Sequence, residues 1–478
     1  MNEISFLNLF GTHGIEDLRN QLFRCLVDDT VNIEILTLRF VCKDLKRTSK
    51  NYLKIKIKKL KKLPKYMICV QAASSGNVQL LRWVREIGFQ WNNETCARAA
   101  ANGHLELLKW AYKKGCAWSE NTCSAAAANG HLKVLKWAYK KGCNWDKNTC
   151  HAAASYGHLK ILKWARRHDC KWDSWTCAEA AGKGNLEILK WANKNGCVMD
   201  DFTCSSAASG GHLEVIKWAR ANHCPWYVNT CSGAASSGHL DILKWARENG
   251  CPWNTNTCSN AAKNGHLEIL KWARDNGCEW DSWTCANAAK NGHLEILKWA
   301  RENGCEWDSW TCANAAENGH LEVLKWAHEN DCEWDGRTCA SAAENGHLEV
   351  LKWAHENDCE WDSWTCSNAA EHGHLEVLKW AHENGCEWDF YTLMNAVANN
   401  HLDVLKWAYY HGCKWDSRCL SRLVRLRWTK IELKYFEILK WTLEMGLCDL
   451  ETQLFIARKF PSLLKYCSKI NCQPNYYL

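Results

Sequence analysis

Proline is scarce in this chain, with 5 residues in 478, and methionine is as rare. Proline breaks helix interiors, so its scarcity leaves helix open almost everywhere. No run of about 18 apolar residues occurs, which excludes a membrane-spanning helix. Residues Met1 to Gly11 include Glu3 and lack both a basic start and a sustained apolar stretch. No secretory signal is therefore expected, and the expected location is intracellular, cytoplasmic or nuclear. No alternating apolar–polar segment is long enough for a strand. There is no Gly-rich phosphate loop after a strand, no nucleophile elbow and no isolated carboxylate pair. Catalysis needs a locally unique constellation, so an enzyme is not expected, nor a cofactor.

The dominant feature is a period. Thirteen positions lie 27 residues apart without insertion or deletion, from Gly76, Gly103 and Gly130 through Gly373 to Asn400. Seven residues after each comes a tryptophan, Trp83 through Trp407. A fixed period of roughly 20–50 residues marks a stacked solenoid. Each unit is too small to bury its own apolar face, so neighbours must cover one another.

One unit, Asp281 to Gly304, reads as two helices. Asp281 is a good N-cap with the helix opening at Ser282. Cys285, Ala286, Ala288 and Ala289 make it thin, and Asn291-Gly292 ends it through a left-handed C′ glycine. A second helix over about 293–302 carries Leu294, Ile296, Leu297, Trp299 and Ala300 at helical spacing. Cys305-Glu306-Trp307 leads to Asp308, the next cap. The fold expected is all-α: a solenoid of stacked helix-turn-helix repeats with helical caps.

The recurring tryptophan, cysteine and histidine columns have structural readings. Trp299 and its equivalents read as a core ladder between repeats, and the loop column (Trp118, Trp145, Trp307) as a lid over helix ends. The cysteines, 30 in all, fall mainly into two columns, Cys69 to Cys366 and Cys116 to Cys413. Equivalent positions in stacked helices lie about 8–10 Å apart, too far for same-column disulfides, so reduced buried thiols are expected. Cys278, Cys285 and His293 lack the close ligand pairs of a structural zinc site. The repeated histidine reads as a turn residue bonding the backbone, and no metal site is expected.

Thr257, Ala261, Ala262, Gly265, His266 and Gly277 stand where ankyrin repeats have Thr, Ala-Ala, Gly-His and a second Gly. The unit resembles an ankyrin repeat, most closely the short tryptophan-rich kind of large DNA viruses and some protists. Cys258 replaces the family's proline. The stretch from the second Gly to the next Thr is about five residues shorter, which leaves little room for the family's β-hairpin finger. The resemblance covers residues 66–415 and implies thirteen repeats that act as a protein-binding scaffold.

Residues 1–48 do not follow the period. Ile33 to Leu45 (Ile-Glu-Ile-Leu-Thr-Leu-Arg-Phe-Val-Cys-Lys-Asp-Leu) resembles the second half of an F-box. That resemblance implies a helical module that docks on a Skp1-type ubiquitin-ligase adaptor through Leu38, Val41, Cys42 and Leu45. The family's Leu-Pro opening is absent, and an ordinary helical cap fits the same residues. Residues 49–65 are expected to form a basic connecting helix. Residues 416–478, with Glu437-Ile438-Leu439-Lys440-Trp441, read as degenerate repeats and a C-terminal cap.

Charge changes sign along the chain. Residues 66–170 carry 15 Lys+Arg and 6 Asp+Glu, whereas residues 278–404 carry 7 and 24. The acidic repeats would attract a basic protein. A nucleic-acid binder using the basic N-terminal region is the alternative, disfavoured because phosphate would want one sign throughout. Positions that vary between units are free to specify a ligand. The column just before the repeated threonine holds Trp175, Phe202, Trp283, Trp310, Arg337, Trp364 and Tyr391, residue types that dominate protein interfaces. Local stacking on the adjacent loop tryptophan would equally explain those aromatics. A second variable column on the first helix includes Arg98, Glu179, Asn287 and Asn368.

Overall fold

A computed structural model describes residues 67–86, 88–416, 418–420, 435–460 and 462–463. The expected N-terminal module, the basic connecting helix and the residues Leu38, Val41, Cys42 and Leu45 lie outside them. The chain divides into two compact units, Met1–Thr230 and Cys231–Leu478. Each consists of helix pairs, and no strand occurs among the described residues. No described helix is long and apolar enough to cross a membrane.

The repeat folds as its sequence dictates. In the second unit, Ser282–Lys290 is followed by Leu294–Glu302, then Ser309–Glu317 by Leu321–Glu329. Asp308 caps its helix by accepting from the Trp310 backbone N–H at 3.1 Å. Six residues, Asn303 to Asp308, join one pair to the next, which leaves too little chain for a β-hairpin finger. The C-terminal motif also forms a helix, Phe436–Glu444, and buries Trp441. Tyr435 donates its hydroxyl to the Ala398 carbonyl at 2.8 Å.

Within each unit, the most extensive contacts run from one first helix to the next. The reason is the size of their side chains. Thr284, Cys285, Ala288 and Ala289 are completely buried, and none is larger than threonine. Ile296, Leu297 and Ala300 of the second helix complete the core.

The expected tryptophan core is corrected by the structure. Trp299 and its counterparts in the 27-residue period are half-buried, and the seal between repeats is made by cysteine, alanine, leucine and isoleucine. An indole is too large for the gap that alanine-lined helices leave. Instead Trp299 meets the loop Trp280 edge to face, at 5.8 Å and 70°. The same contact joins Trp307 with Trp326 and Trp334 with Trp353.

The loop tryptophan does lie over a helix end, and it has a stacking partner the sequence reading missed. Arg274 sits 4.0 Å over Trp280 and donates to the Cys278 carbonyl at 2.6 Å. The partner is Tyr112 on Trp118 in one repeat, Arg166 on Trp172 in another and His355 on Trp361 in a third. Where the loop residue is Met199, the partner position holds Asn193. The two positions have changed together.

The repeated histidine bonds backbone as expected, but in the preceding repeat. His131 reaches the Ala101 carbonyl at 3.1 Å and His347 the Glu317 carbonyl at 3.1 Å. Asn185, which stands in the histidine's place, donates to the Ala154 and Ser155 carbonyls at 2.9 Å each. The ring lies against the glycine one repeat back: a Cβ on Gly346 would sit 2.6 Å from His374, at φ +77°. Gly304 has a similar φ of +81° with open space around it.

Two predictions follow from this packing. Gly346→Ala and Gly304→Ala share the left-handed backbone cost of roughly 1 kcal/mol. Only the first adds a clash with the interlocking ring, so thermal melts should show the larger loss for Gly346→Ala; equal losses would deny the interlock. Installing the missing stack with Asn193→Arg plus Met199→Trp should give a favourable coupling of about 1 kcal/mol in a double-mutant cycle.

Candidate functional site

The column before the repeated threonine occupies the second position of each first helix. The buried threonine that follows takes the core-facing direction, which turns the column residue outward. The N-cap aspartate fixes its backbone: Asp362 accepts from the Trp364 N–H and Asp389 from the Tyr391 N–H, both at 2.9 Å. The aromatic side chains are 44–61% exposed.

In the first unit, Trp175 and Phe202 stack at 5.2 Å with planes 23° apart. Earlier repeats of that unit carry Glu94, Asn121 and Asn148 in the column. Together with Arg98, His151 and Glu179 these border an open groove of about 550 Å³. Asp173 receives hydrogen bonds from Lys147 at 2.8 Å and His151 at 2.6 Å. Burial pushes its carboxyl up, but the hydrogen bonds from Lys147 and His151 prevail and hold it below its ordinary value.

In the second unit, Trp283, Trp310, Arg337, Trp364 and Tyr391 occupy five successive repeats. The Arg337 guanidinium lies 4.6 Å over Trp310. It reaches Asp335 at 2.6 Å and donates to the Ser309 hydroxyl at 2.8 Å. The bond from Arg337 holds the Asp335 carboxyl low despite burial. Trp364 and Tyr391 face each other with planes 15° apart and centroids at 6.5 Å. The ladder continues to a residue not singled out from sequence: Arg418 sits 4.2 Å over Phe390 and pairs with Asp416 at 2.8 Å. Hydrogen bonding from Arg418 pushes the Asp416 carboxyl down to about 2. The signal was present, since Arg418 stands 27 residues after Tyr391 and two after an aspartate.

Within each unit the ring contacts of the column join column residues to one another or to their immediate neighbours. The loop tryptophans instead engage the second helices. Stacking on the adjacent loop tryptophan, the alternative read from sequence, is therefore not how these aromatics are held. The second variable column is partly used between repeats, as where Asn395 bonds the Ser367 carbonyl at 3.4 Å and Glu371 at 3.2 Å.

The thiols pair across the two columns. Cys339 directs its thiol to the Cys359 carbonyl at 3.9 Å, and Cys359 directs its own to the Asp335 carbonyl at 3.6 Å. Both are buried free thiols. The hydrogen bond to Cys359, then burial, push the Cys339 thiol well above its ordinary value, so it stays protonated and unreactive. Among the described residues no group of three or more His, Cys, Asp or Glu is arranged to hold a metal ion.

Comparison with known proteins adds a family. A profile described as ankyrin repeats (3 copies) matches residues 285–363. A second, ankyrin repeats (many copies), matches 123–166, 231–274, 258–301 and 366–409. Among solved structures the chain is similar to the human ASB11 ankyrin repeat domain, at 19% identity over 33% of this chain and 84% of that one, with a TM-score of 0.28. It is also similar to the pentatricopeptide repeat protein PPR10 in complex with an 18-nt psaJ RNA element, at 13% identity over 82% of this chain and 68% of that one, TM-score 0.33. No curated protein matches the sequence.

Proposed function

We propose that this chain, whose repeats are ankyrin repeats, is a non-enzymatic scaffold that binds a protein partner through the residues before the repeated threonine. One observation carries the reading. Aromatic and arginine side chains project from successive repeats of the second unit, although the packing of the repeats does not require them. Large exposed aromatics concentrated in one column mark interaction surfaces more than they mark a solvated face.

The chemistry of the surroundings points to the kind of partner. Residues 278–404 hold 24 acidic against 7 basic residues, and the loop residues Glu306, Glu333, Glu360 and Glu387 are exposed. Such a field draws in basic proteins and repels phosphate. Binding of nucleic acid through the basic repeats before residue 170 is the weaker reading for that reason. An intracellular location accords with buried free thiols such as Cys339 and Cys359.

The role as a substrate adaptor for a ubiquitin ligase rests on the F-box resemblance of Ile33 to Leu45 alone. In that reading residues 1–48 dock on a Skp1-type protein and residues 66–415 hold the target.

Affinity capture from a cell lysate with mass spectrometry tests both parts. The wild type should retain a partner that a Trp283→Ala/Trp310→Ala/Trp364→Ala variant loses while its melting temperature stays within a few degrees. Unchanged capture would remove the column as the binding surface. A Skp1-type protein should co-purify with the full chain and be lost on deletion of residues 1–48; its absence from the wild type would leave a plain scaffold.

A further inference from the structure

We infer that the ladder of the second unit receives arginine side chains from its partner, one guanidinium on each open aromatic seat. The inference rests on the scaffold reading and sharpens it. The chain itself shows what such a seat holds. Arg337 lies on Trp310, tied to Asp335 and Ser309. Arg418 lies on Phe390, tied to Asp416. In both cases the arginine covers a ring of the preceding repeat and engages a carboxylate that caps its own helix. The seat is thus an aromatic face, a capping aspartate and, beside Trp310, a serine hydroxyl.

Equivalent parts recur where the chain supplies no arginine. Trp283 stands with Ser282 and Asp308, and Trp364 with Ser363 and Asp389. Ser363 donates to Asp389 at 3.2 Å, whereas two repeats earlier the Ser309 hydroxyl accepts from the Arg337 guanidinium. Following Trp364 is Tyr391, nearly parallel to it at 6.5 Å. Stacking contacts of about 3.5 Å on each side of a planar group need roughly 7 Å, so a guanidinium entering between these rings requires only a small opening. Trp364 is 61% exposed, so a ligand can reach it.

Arginine fits better than lysine for physical reasons. Its guanidinium is planar, weakly hydrated and able to bond a carboxylate while stacking on a ring, whereas an ammonium is compact and strongly hydrated. A nucleobase is also planar, but its phosphates would enter the acidic segment. The spacing sets a further condition. Trp283 and Trp364 are three repeats apart, about 24–30 Å at ordinary helix-packing distances. An extended strand covers that in about eight or nine residues at roughly 3.3 Å each.

The test titrates the full chain into a fluorescein-labelled Gly/Ser peptide with two arginines at nine-residue spacing, and into its lysine counterpart. The arginine peptide should bind about fivefold or more tightly, the scale of an exposed cation–π contact. Trp364→Ala should weaken the arginine peptide by about fivefold and Trp364→Phe by less. Glu349→Gln, which alters an exposed acid on a second helix, should leave the preference for arginine unchanged. Circular dichroism melts confirm that the variants remain folded. Equal affinity for the two peptides overturns the inference, as does indifference to Trp364→Ala or binding of a single-stranded oligonucleotide as tight as that of the peptide. If the lysate partner is lost with the ladder variant but no arginine preference appears, the scaffold reading stands and this inference falls. If the arginine preference holds while lysate capture is unaffected by the ladder, the failure lies with the scaffold reading instead.

Discussion

Consecutive first helices lie against one another because their shared faces are built largely from small side chains. Thr284, Cys285, Ala288 and Ala289 leave no room for water and almost none for adjustment. An alanine-lined contact contributes little per side chain, about 25 cal/mol for each Å² of apolar surface buried, so it must be continued from repeat to repeat to amount to a core. That demand explains the strict spacing. Inserting one residue in a first helix would turn its small face by about 100° and break both contacts at once. The histidine interlock adds a polar constraint on the same register. His347 satisfies a carbonyl at the end of a helix 30 residues earlier and lies over a glycine that must be bare and left-handed.

Much of this could be read from residues alone, because each signal is local. The Asp281 cap, the Asn291-Gly292 stop and the apolar spacing of Ile296 and Leu297 define two helices without any knowledge of neighbours. What could not be read depends on the path of the loop between them. Spacing places Trp299 on the apolar face but does not say how deep that face sits, and the structure leaves it at the edge. Spacing did not show that the two cysteine columns touch, yet Cys339 and Cys359 meet because the second helix folds back over the first. The histidine's backbone bond was legible, but not that its acceptor lies in the preceding repeat. The pairing of Asn193 with Met199 was visible in the sequence, but only a structure says that those positions touch.

The ladder uses parts that the fold already needs. The aspartate before Trp364 is first a helix cap, and its carboxylate is committed to a backbone N–H. The same carboxylate beside Arg337 serves as a counter-ion as well, without loss of the cap. A capping residue therefore sets both the direction of the outward side chain and the charge beside it. The column can then change from Asn256 to Trp283 or Arg337 at little structural cost. This separation between invariant packing residues and a variable rim is what lets one repeat template carry different surfaces.

The exchange at the loop-stacking position argues that the acidity of the second unit is not a by-product of packing. Arg247, Arg274 and Arg301 lie about 4.0 Å over Trp253, Trp280 and Trp307. In the next three repeats histidine takes over the stack, with His328, His355 and His382 at 4.1, 3.9 and 3.7 Å. The contact is kept and the permanent positive charge is dropped, since histidine ordinarily titrates below neutrality. Burial moves His382 further in that direction. Arginine would have served the packing equally well, as the repeats before it show. Replacing it in repeats that also carry Glu329, Glu356 and Glu383 leaves that segment with fewer cations. A rim that is made more negative while its contacts are preserved is best explained by what approaches it, and a cationic side chain with a flat face meets both the charge and the exposed rings.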